Sequence, residues 1–185
     1  MLHLNFSPFP ILETDRLRLR QIVETDAEQM FQLRSNPETM QYIPRELPKT
    51  IDDAIAHINY MNDLRLNNEC VNWGITFKDE DIIVGLIGYF RPKPENHRAE
   101  IGYMLSPDYH GKGIMQEALV RAIDYGFNEM KLHSIEAITA PENYASWKLL
   151  EKNDFIREGH FKEDTYWNGQ YLDSYVYSLL SLIHI

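Results

Sequence analysis

The stretch Ala99-Glu-Ile-Gly-Tyr-Met-Leu-Ser-Pro-Asp-Tyr-His-Gly-Lys-Gly-Ile-Met-Gln-Glu-Ala118 joins three kinds of local pattern. Ala99 to Leu105 reads as a strand. Gly111 and Gly113 follow in a short turn, and from Gly113 to about Met130 the residues Ile114, Ala118, Leu119, Ala122, Ile123, Phe127 and Met130 recur at helical spacing. Such a turn exposes several backbone N–H groups at the positive end of a helix dipole, and glycine lets a phosphate approach the main chain without a clash at Cβ. A pyrophosphate is the natural guest. On its glycines alone the segment is equally an ordinary turn. The sequence contains neither G-x-x-x-x-G-K-[ST] nor G-x-G-x-x-G, which disfavours an NTPase or a dinucleotide dehydrogenase.

Upstream, Leu17 to Ile22 alternates apolar and polar residues as a strand with one wet face does. Thr25-Asp-Ala-Glu28 has capping-box spacing and opens a helix that should stop near Asn36-Pro37, and Thr50-Ile-Asp-Asp53 opens a second, running to Leu66. Val71 to Phe77 alternates again, and Ile82 to Phe90 is nearly all apolar, as a strand buried on both faces would be, with Asp79 to Ile82 as a hairpin turn between them. Downstream come a short strand at Ser134 to Ala140 and a helix from Asn143 to Asn153. Two strands then flank Asn168-Gly169, a dipeptide favoured in type I′ hairpins. The expected order is β-α-α-β-β-β-α-β-α-β-β: an α/β (α+β) fold with one mixed sheet covered by helices, forming a single domain over residues 1–185.

Eighteen Lys and Arg against 28 Asp and Glu leave a formal charge of −10 in 185 residues. A non-specific grip on nucleic acid or an anionic membrane is therefore disfavoured, and neutral or cationic partners are favoured. Uncharged runs such as Ile82 to Phe90 and Ser174 to Ile185 fall short of the roughly 20 apolar residues that span a bilayer. Cys70 is the single cysteine, and no Cys/His spacing offers a zinc site, so no metal is expected. A free thiol and an N-terminus without a secretory pattern fit a cytoplasmic protein.

His110-Gly-Lys-Gly-Ile-Met115 resembles the acetyl-CoA pyrophosphate loop, [RQ]-x-x-G-x-[GA], of the GCN5-related N-acetyltransferases (GNAT), with His110 in place of Gln or Arg and Met115 in place of a small residue. Glu13-Thr-Asp-Arg-Leu-Arg-Leu-Arg20 and Ala99-Glu-Ile-Gly-Tyr103 are similar to segments of the subgroup that acetylates the N-termini of ribosomal proteins. So is Asn143-Tyr-Ala-Ser-Trp-Lys-Leu-Leu-Glu-Lys-Asn-Asp-Phe155, with Asp154 where Gly is common, and so is Tyr166-Trp-Asn-Gly-Gln-Tyr171 with Asp173. The resemblance runs in order along essentially the whole chain. It implies a twisted, mostly antiparallel sheet and an acetyl-CoA-dependent N-acetyltransferase. The acceptor would be a small-molecule amine or a protein N-terminus, and the assembly would often be a homodimer.

The same resemblance assigns roles. Main-chain groups of Met104 and Leu105 would meet the pantetheine arm and polarise the thioester carbonyl, and the backbone of His110, Gly111, Lys112, Gly113, Ile114 and Met115 would hold the pyrophosphate. Glu100 would be the general base, directly or through water, and a solvated or ion-paired strand glutamate is the competing description. Asn143 and Ser146, three residues apart on one side of a helix start, would bond the pantetheine and meet the departing thiolate, and helix capping competes for both. The tyrosine that many acetyltransferases place four residues beyond Ser146 is here Leu150. Glu163, Asp164 and Asp173 are weaker candidates for attracting a cation. Cys70 is expected to be a packing residue rather than an acyl carrier, which makes transfer direct. A non-catalytic CoA-binding sensor or scaffold, and an interaction module using the glycines only as a turn, are the alternatives.

Overall fold

The computed structural model describes residues 1–181. In chain order the elements are β1 (Leu12–Glu13), β2 (Leu17–Gln21), α1 (Ala27–Ser35), α2 (Pro37–Met40), α3 (Ile51–Leu66), β3 (Val71–Phe77), β4 (Glu80–Lys93), β5 (Arg98–Leu105), α4 (Ile114–Asn128), β6 (Ser134–Thr139), α5 (Tyr144–Lys152), β7 (Ile156–Trp167) and β8 (Gln170–Leu180). All eight strands join one sheet in the order β1-β2-β3-β4-β5-β6-β8-β7. Neighbours are antiparallel except β5 and β6, which are parallel. The expected mixed α/β sheet is present, with one added short strand, β1, and one added helical turn, α2.

Local chemistry explains the borders. Asn36 ends α1 and caps α2, its Oδ1 accepting from Glu38 N–H and Thr39 N–H, with Pro37 in the first helical position where a missing N–H costs nothing. Thr50 and Asp53 form a reciprocal capping box that starts α3. The β3–β4 turn is Lys78–Asp79 rather than Asp79 to Ile82, since Phe77 already pairs with Glu80. The exposed Glu80, Asp81 and Ile82 extend the ladder although their polarity hides it. Asn168 and Gly169 both have positive φ and turn β7 into β8. The uncharged run from Ser174 belongs to β8 as far as Leu180, and residues 182–185 lie outside the described residues.

Two apolar layers sandwich the sheet. On one face α4 packs Ile114, Ala118, Leu119 and Ala122 against Trp73, Ile87, Tyr89 and Ile101. Trp73 meets Tyr89 and Tyr125 edge-on, and the buried Tyr89 hydroxyl donates to Ala122 O at 2.9 Å, leaving no orphaned polar atom there. On the other face α1 and α3 press Met30, Leu33, Ala54 and Ile58 onto Ile83 and Leu86, with Met104 at the margin. Each leucine, isoleucine or methionine side chain so withdrawn from water contributes roughly 1.5–3 kcal/mol before entropy is charged against it. No described helix is long and apolar enough to cross a membrane.

Candidate active site

β5 and β6 stay in register over only three pairs: Arg98 with Ser134, Ala99 with Ile135 and Glu100 with Glu136. Beyond these, residues 101–105 and 137–139 have no partner in each other, so a wedge opens with Glu100 at its narrow end. The opposite edge of β5 stays paired to β4 as far as Leu105, and Ser106 N–H extends that ladder by donating to Val84 O at 2.9 Å. Peptide direction alternates along a strand. With Ser106 directed at β4, Met104 is directed there too, while Tyr103 and Leu105 turn their N–H and C=O groups to the wedge. An extended chain bearing amides can pair with such a free edge as an added strand.

At the wide end stands the glycine loop. Gly111 and Gly113 have φ of 72° and 74°, the left-handed region that favours glycine, and nothing lies within 4 Å of where a Cβ on Gly111 would be. Gly113 is the N-cap of α4 and supplies no capping side chain, and the first turn closes only with Glu117 N–H donating to Gly113 O at 3.1 Å. The N–H groups at the start of α4 are thus free of intrahelical acceptors and of a cap, at the end of a 15-residue helix where the dipole favours an anion. The loop's own side chains are used in holding its shape. His110 Nε2 donates to Leu105 O at 3.2 Å, and Lys112 Nζ donates to Asp108 O at 2.7 Å while lying over the Tyr109 ring.

A tether from the far edge of the sheet reaches this loop. Arg16 donates through Nε to Glu117 Oε2 at 2.7 Å and through Nη1 to Lys112 O at 3.3 Å, and Thr14 Oγ1 and Arg16 N–H both donate to Glu117 Oε1. Burial pushes the Glu117 carboxyl up, but these donors outweigh it and hold its pKa below the usual range. The Thr-x-Arg pattern near the N-terminus therefore braces the anion loop, a role that local reading does not reveal.

On the α5 side, Asn143 Oδ1 accepts from Ser146 N–H at 3.2 Å. Capping is thus what the amide oxygen does, and Asn143 Nδ2 takes no part in it. Ser146 Oγ lies 3.0 Å from the Tyr103 hydroxyl, a pair in which either can donate, and the hydroxyl is also within 3.3 Å of Ser146 O as an acceptor, so these contacts span the wedge from β5 to α5. Burial raises the Tyr103 pKa to about 12 against the lowering effect of the Ser146 bond, so the phenol is protonated near neutral pH. Sequence reasoning missed Tyr103. The signal was its parity, opposite to Glu100 on β5, together with the leucine at position 150.

Glu100 is mostly buried, at 16% side-chain exposure, and its Oε2 accepts from Arg91 Nη1 at 2.7 Å. Its register partner Glu136 is held by Arg98 at 2.6 Å and by Lys93 at 3.9 Å. The ion-paired description thus holds in this structure: the carboxylate has a guanidinium partner, and that partner, Arg91, is 66% exposed. Asp173 and Glu163 lie apart on the β7–β8 hairpin. Glu163 N–H at 2.8 Å and His160 at 2.6 Å hold the Asp173 carboxyl below its usual pKa. Cys70 is buried, and burial pushes its thiol up to about 11, an inert state for a nucleophile. No group of three His, Cys, Asp or Glu that could hold a metal occurs among the described residues.

Known proteins are similar to this chain in sequence and fold. The chain is 38% identical over 172 residues to the uncharacterized N-acetyltransferase YoaA of Bacillus subtilis (strain 168), covering 93% of this chain and 97% of that one. Its fold matches the crystal structure of an acetyltransferase of the GNAT family from Bacillus anthracis with a TM-score of 0.82 and 32% identity, over 92% and 98% of the two chains. At 26% identity come two further structures. The ribosomal-protein-S5-alanine acetyltransferase of Vibrio fischeri has a TM-score of 0.81 with 92% and 96% coverage, and the spermidine N-acetyltransferase of Vibrio cholerae, in complex with CoA and spermine, has 0.79 with 90% and 96%. The family model for the acetyltransferase (GNAT) domain matches residues 16–156, which include the whole wedge and its glycine loop, and the chain belongs to that family of N-acetyltransferases.

Proposed function

We propose that the chain transfers the acetyl group of acetyl-CoA directly to a primary amine, protein N-terminal α-amines included. The observation that carries this is the wedge between β5 and β6, which opens beside the uncapped start of α4. The backbone of residues 110–115 would hold the pyrophosphate, and the wedge-facing peptides of Tyr103 and Leu105 would hold the pantetheine arm, whereas the Met104 peptide, also expected there, is directed at β4. Asn143 Nδ2, which takes no part in the cap, would add a side-chain bond. Acetyl-CoA supplies an activated acyl group on a thioester sulfur. Leu105 N–H donates to the oxygen that gains charge during attack, a preorganised dipole of the kind that contributes most to such reactions.

Glu100 accepts the amine proton, directly or through a water, and Ser146 donates to the departing sulfur with Tyr103 behind it. Transfer is direct because Cys70 is buried and protonated. The net charge of −10 favours an acceptor that arrives as a cation, and both the ribosomal-protein and the spermidine enzymes among its structural neighbours have amine acceptors by name. Calorimetry with acetyl-CoA, and with ATP and NAD as controls, tests the cofactor. Thiol release with peptides bearing free or blocked N-termini, and with polyamines, tests the acceptor. Glu100→Gln should lower kcat with little change in acetyl-CoA affinity, and an unaltered pH–rate profile would remove Glu100 as base. Selective acetyl-CoA binding without thiol release across the panel would instead favour a sensor.

A further inference from the structure

A pair of side chains outside the reacting groups joins the start of α4 to the end of α5. Gln116 is the third residue of α4, and its own N–H is one of the donors at the helix start that have no intrahelical acceptor. Its side-chain amide meets that of Asn153, the residue that closes α5, in a reciprocal pair. Gln116 Nε2 donates to Asn153 Oδ1 at 2.7 Å, and Asn153 Nδ2 donates to Gln116 Oε1 at 3.2 Å. Asn153 is itself fixed. Its Nδ2 also donates to Leu149 O at 2.8 Å and its N–H to Leu150 O at 2.9 Å, which locks the amide to the last turn of α5. Both residues are half-buried, and among the described residues no other hydrogen bond joins α4 to α5 or to Asn153.

Nearer its other end α5 is attached to β5. Ser146 Oγ meets the Tyr103 hydroxyl at 3.0 Å, and Ser146 stands seven positions before Asn153, about 10 Å along a helix axis. Between the two attachments the helix is held down by Leu150, which is buried, and by Trp147, whose Nε1 donates to Pro141 O at 3.2 Å. One rigid element therefore runs from the free N–H groups of the glycine loop to the serine that faces β5 across the wedge. An extended ligand with an anionic group at one end and its reacting atom at the other must match that span, because the donors to it are fixed before it arrives. We propose that Gln116 and Asn153 are positioning residues that set the distance between the anion loop and the α5 wall, and through it the length of thioester arm that the site accepts. The inference rests on the assignment of acetyl-CoA to the wedge. Its consequence is selective. Loosening the pair leaves the loop's own donors in place, so it costs little to a ligand that uses the loop alone, but it misplaces the far end of one that uses both walls.

Calorimetry on the whole chain tests this with two probes: acetyl-CoA, and 3′-phospho-ADP, which is the nucleotide end of CoA without its arm. In Gln116→Ala and in Asn153→Ala the Kd for acetyl-CoA should rise roughly threefold to thirtyfold, the range that one or two neutral hydrogen bonds carry, while that for 3′-phospho-ADP should change less than about twofold. The double variant should bind no more weakly than the weaker single one, since either truncation breaks the same pair. Exchanging the two amides, Gln116→Asn with Asn153→Gln, keeps their combined length and should recover most of what each exchange loses alone. Where a truncation fails to fold, the exchanged pair and its two parents carry the same comparison. A merely structural pair would lower the melting temperature and shift both ligands alike, so the ratio of the two affinities is the readout. Equal losses for the two ligands, unchanged acetyl-CoA affinity in both single variants, or additive losses in the double variant would overturn the proposal. So would acetyl-CoA binding to the unsubstituted chain without any binding of 3′-phospho-ADP, because the loop would then be no separate point of attachment. An unsubstituted chain that binds neither ligand would instead overturn the cofactor assignment, and this inference with it.

Discussion

Tyr103 shows how a single side chain can complete a site that the local motif leaves open. The α5 position where a tyrosine is common is Leu150, which is 1% exposed and belongs to the core, so no acid can act from there. A phenol instead reaches Ser146 from the opposite wall of the wedge, protonated because burial lifts its pKa to about 12. It orients the serine hydroxyl. Tyr103→Phe keeps the ring and removes the hydroxyl contacts with Ser146; one hydrogen bond is normally worth about 0.5–1.5 kcal/mol, so kcat should fall roughly twofold to tenfold. KM for acetyl-CoA should stay within about twofold. If Tyr103 acts through Ser146, the Tyr103→Phe, Ser146→Ala double variant should be no slower than Ser146→Ala alone, a non-additivity that a merely structural role would not produce. Legibility is uneven at this scale. The glycines at 111 and 113 announce their backbone state, whereas Tyr103 and Arg16 act over 43 and 101 positions in sequence and carry no local mark.

At the scale of elements, periodicity located the long strands and helices because their apolar residues face a core, while what it missed had no face to show. β1 is two residues long, too short for any alternation, and α2 is a single turn announced only by Asn36-Pro37. The β3–β4 turn was displaced because the exposed end of β4 is held by backbone pairing rather than by buried side chains. The loop–α4 junction gives a prediction of its own. A side chain at Gly113 must adopt φ near 74°, so Gly113→Val should cost about 1–3 kcal/mol of stability and weaken acetyl-CoA binding at least tenfold. Glu117→Gln leaves that backbone intact but loosens the Arg16 brace, so calorimetry should show a smaller loss of affinity than for Gly113→Val. An equal or larger loss would mean that the brace, and not the glycine conformation, shapes the anion site.

The packing of α3 on α1 has a second consequence. Burial, then Arg34 and Arg45, lower the His57 pKa to about 4, against about 6.5 in an unfolded chain. Above pH 6.5 the imidazole is neutral in both states and has no effect. As pH falls from 6.5 toward 4 the unfolded state takes up the proton first, so native stability falls, and below 4 the loss is complete. Allowing for the partial exposure of the ring, the loss is on the order of 2–3 kcal/mol, or roughly 5–9 °C in melting temperature. His57→Asn should flatten the melting curve between pH 6.5 and 4 relative to the unsubstituted chain. Parallel curves for the two proteins would show that His57 titrates normally.

Across the whole molecule, the fold places unlike electrostatic regions side by side. A net charge of −10 favours the approach of amines, while the uncapped start of α4 is a local exception where backbone dipoles favour an anion. Composition alone gives the sign of the outer field and not the exception, which depends on where a helix begins. The field has a kinetic consequence. A cationic acceptor is steered over distances comparable with the Debye length, about 10 Å at 0.1 M salt and 30 Å at 0.01 M, so kcat/KM for a polyamine or a basic N-terminal peptide should fall severalfold as ionic strength rises across that range. An acceptor with one amine and no other charge should lose much less, and kcat at saturation should be nearly constant for both, because screening acts on the encounter and not on the buried chemistry. Equal salt dependence for the two acceptors would mean that the wedge is shielded from the surface charge, and that acceptor choice is made by contacts within it.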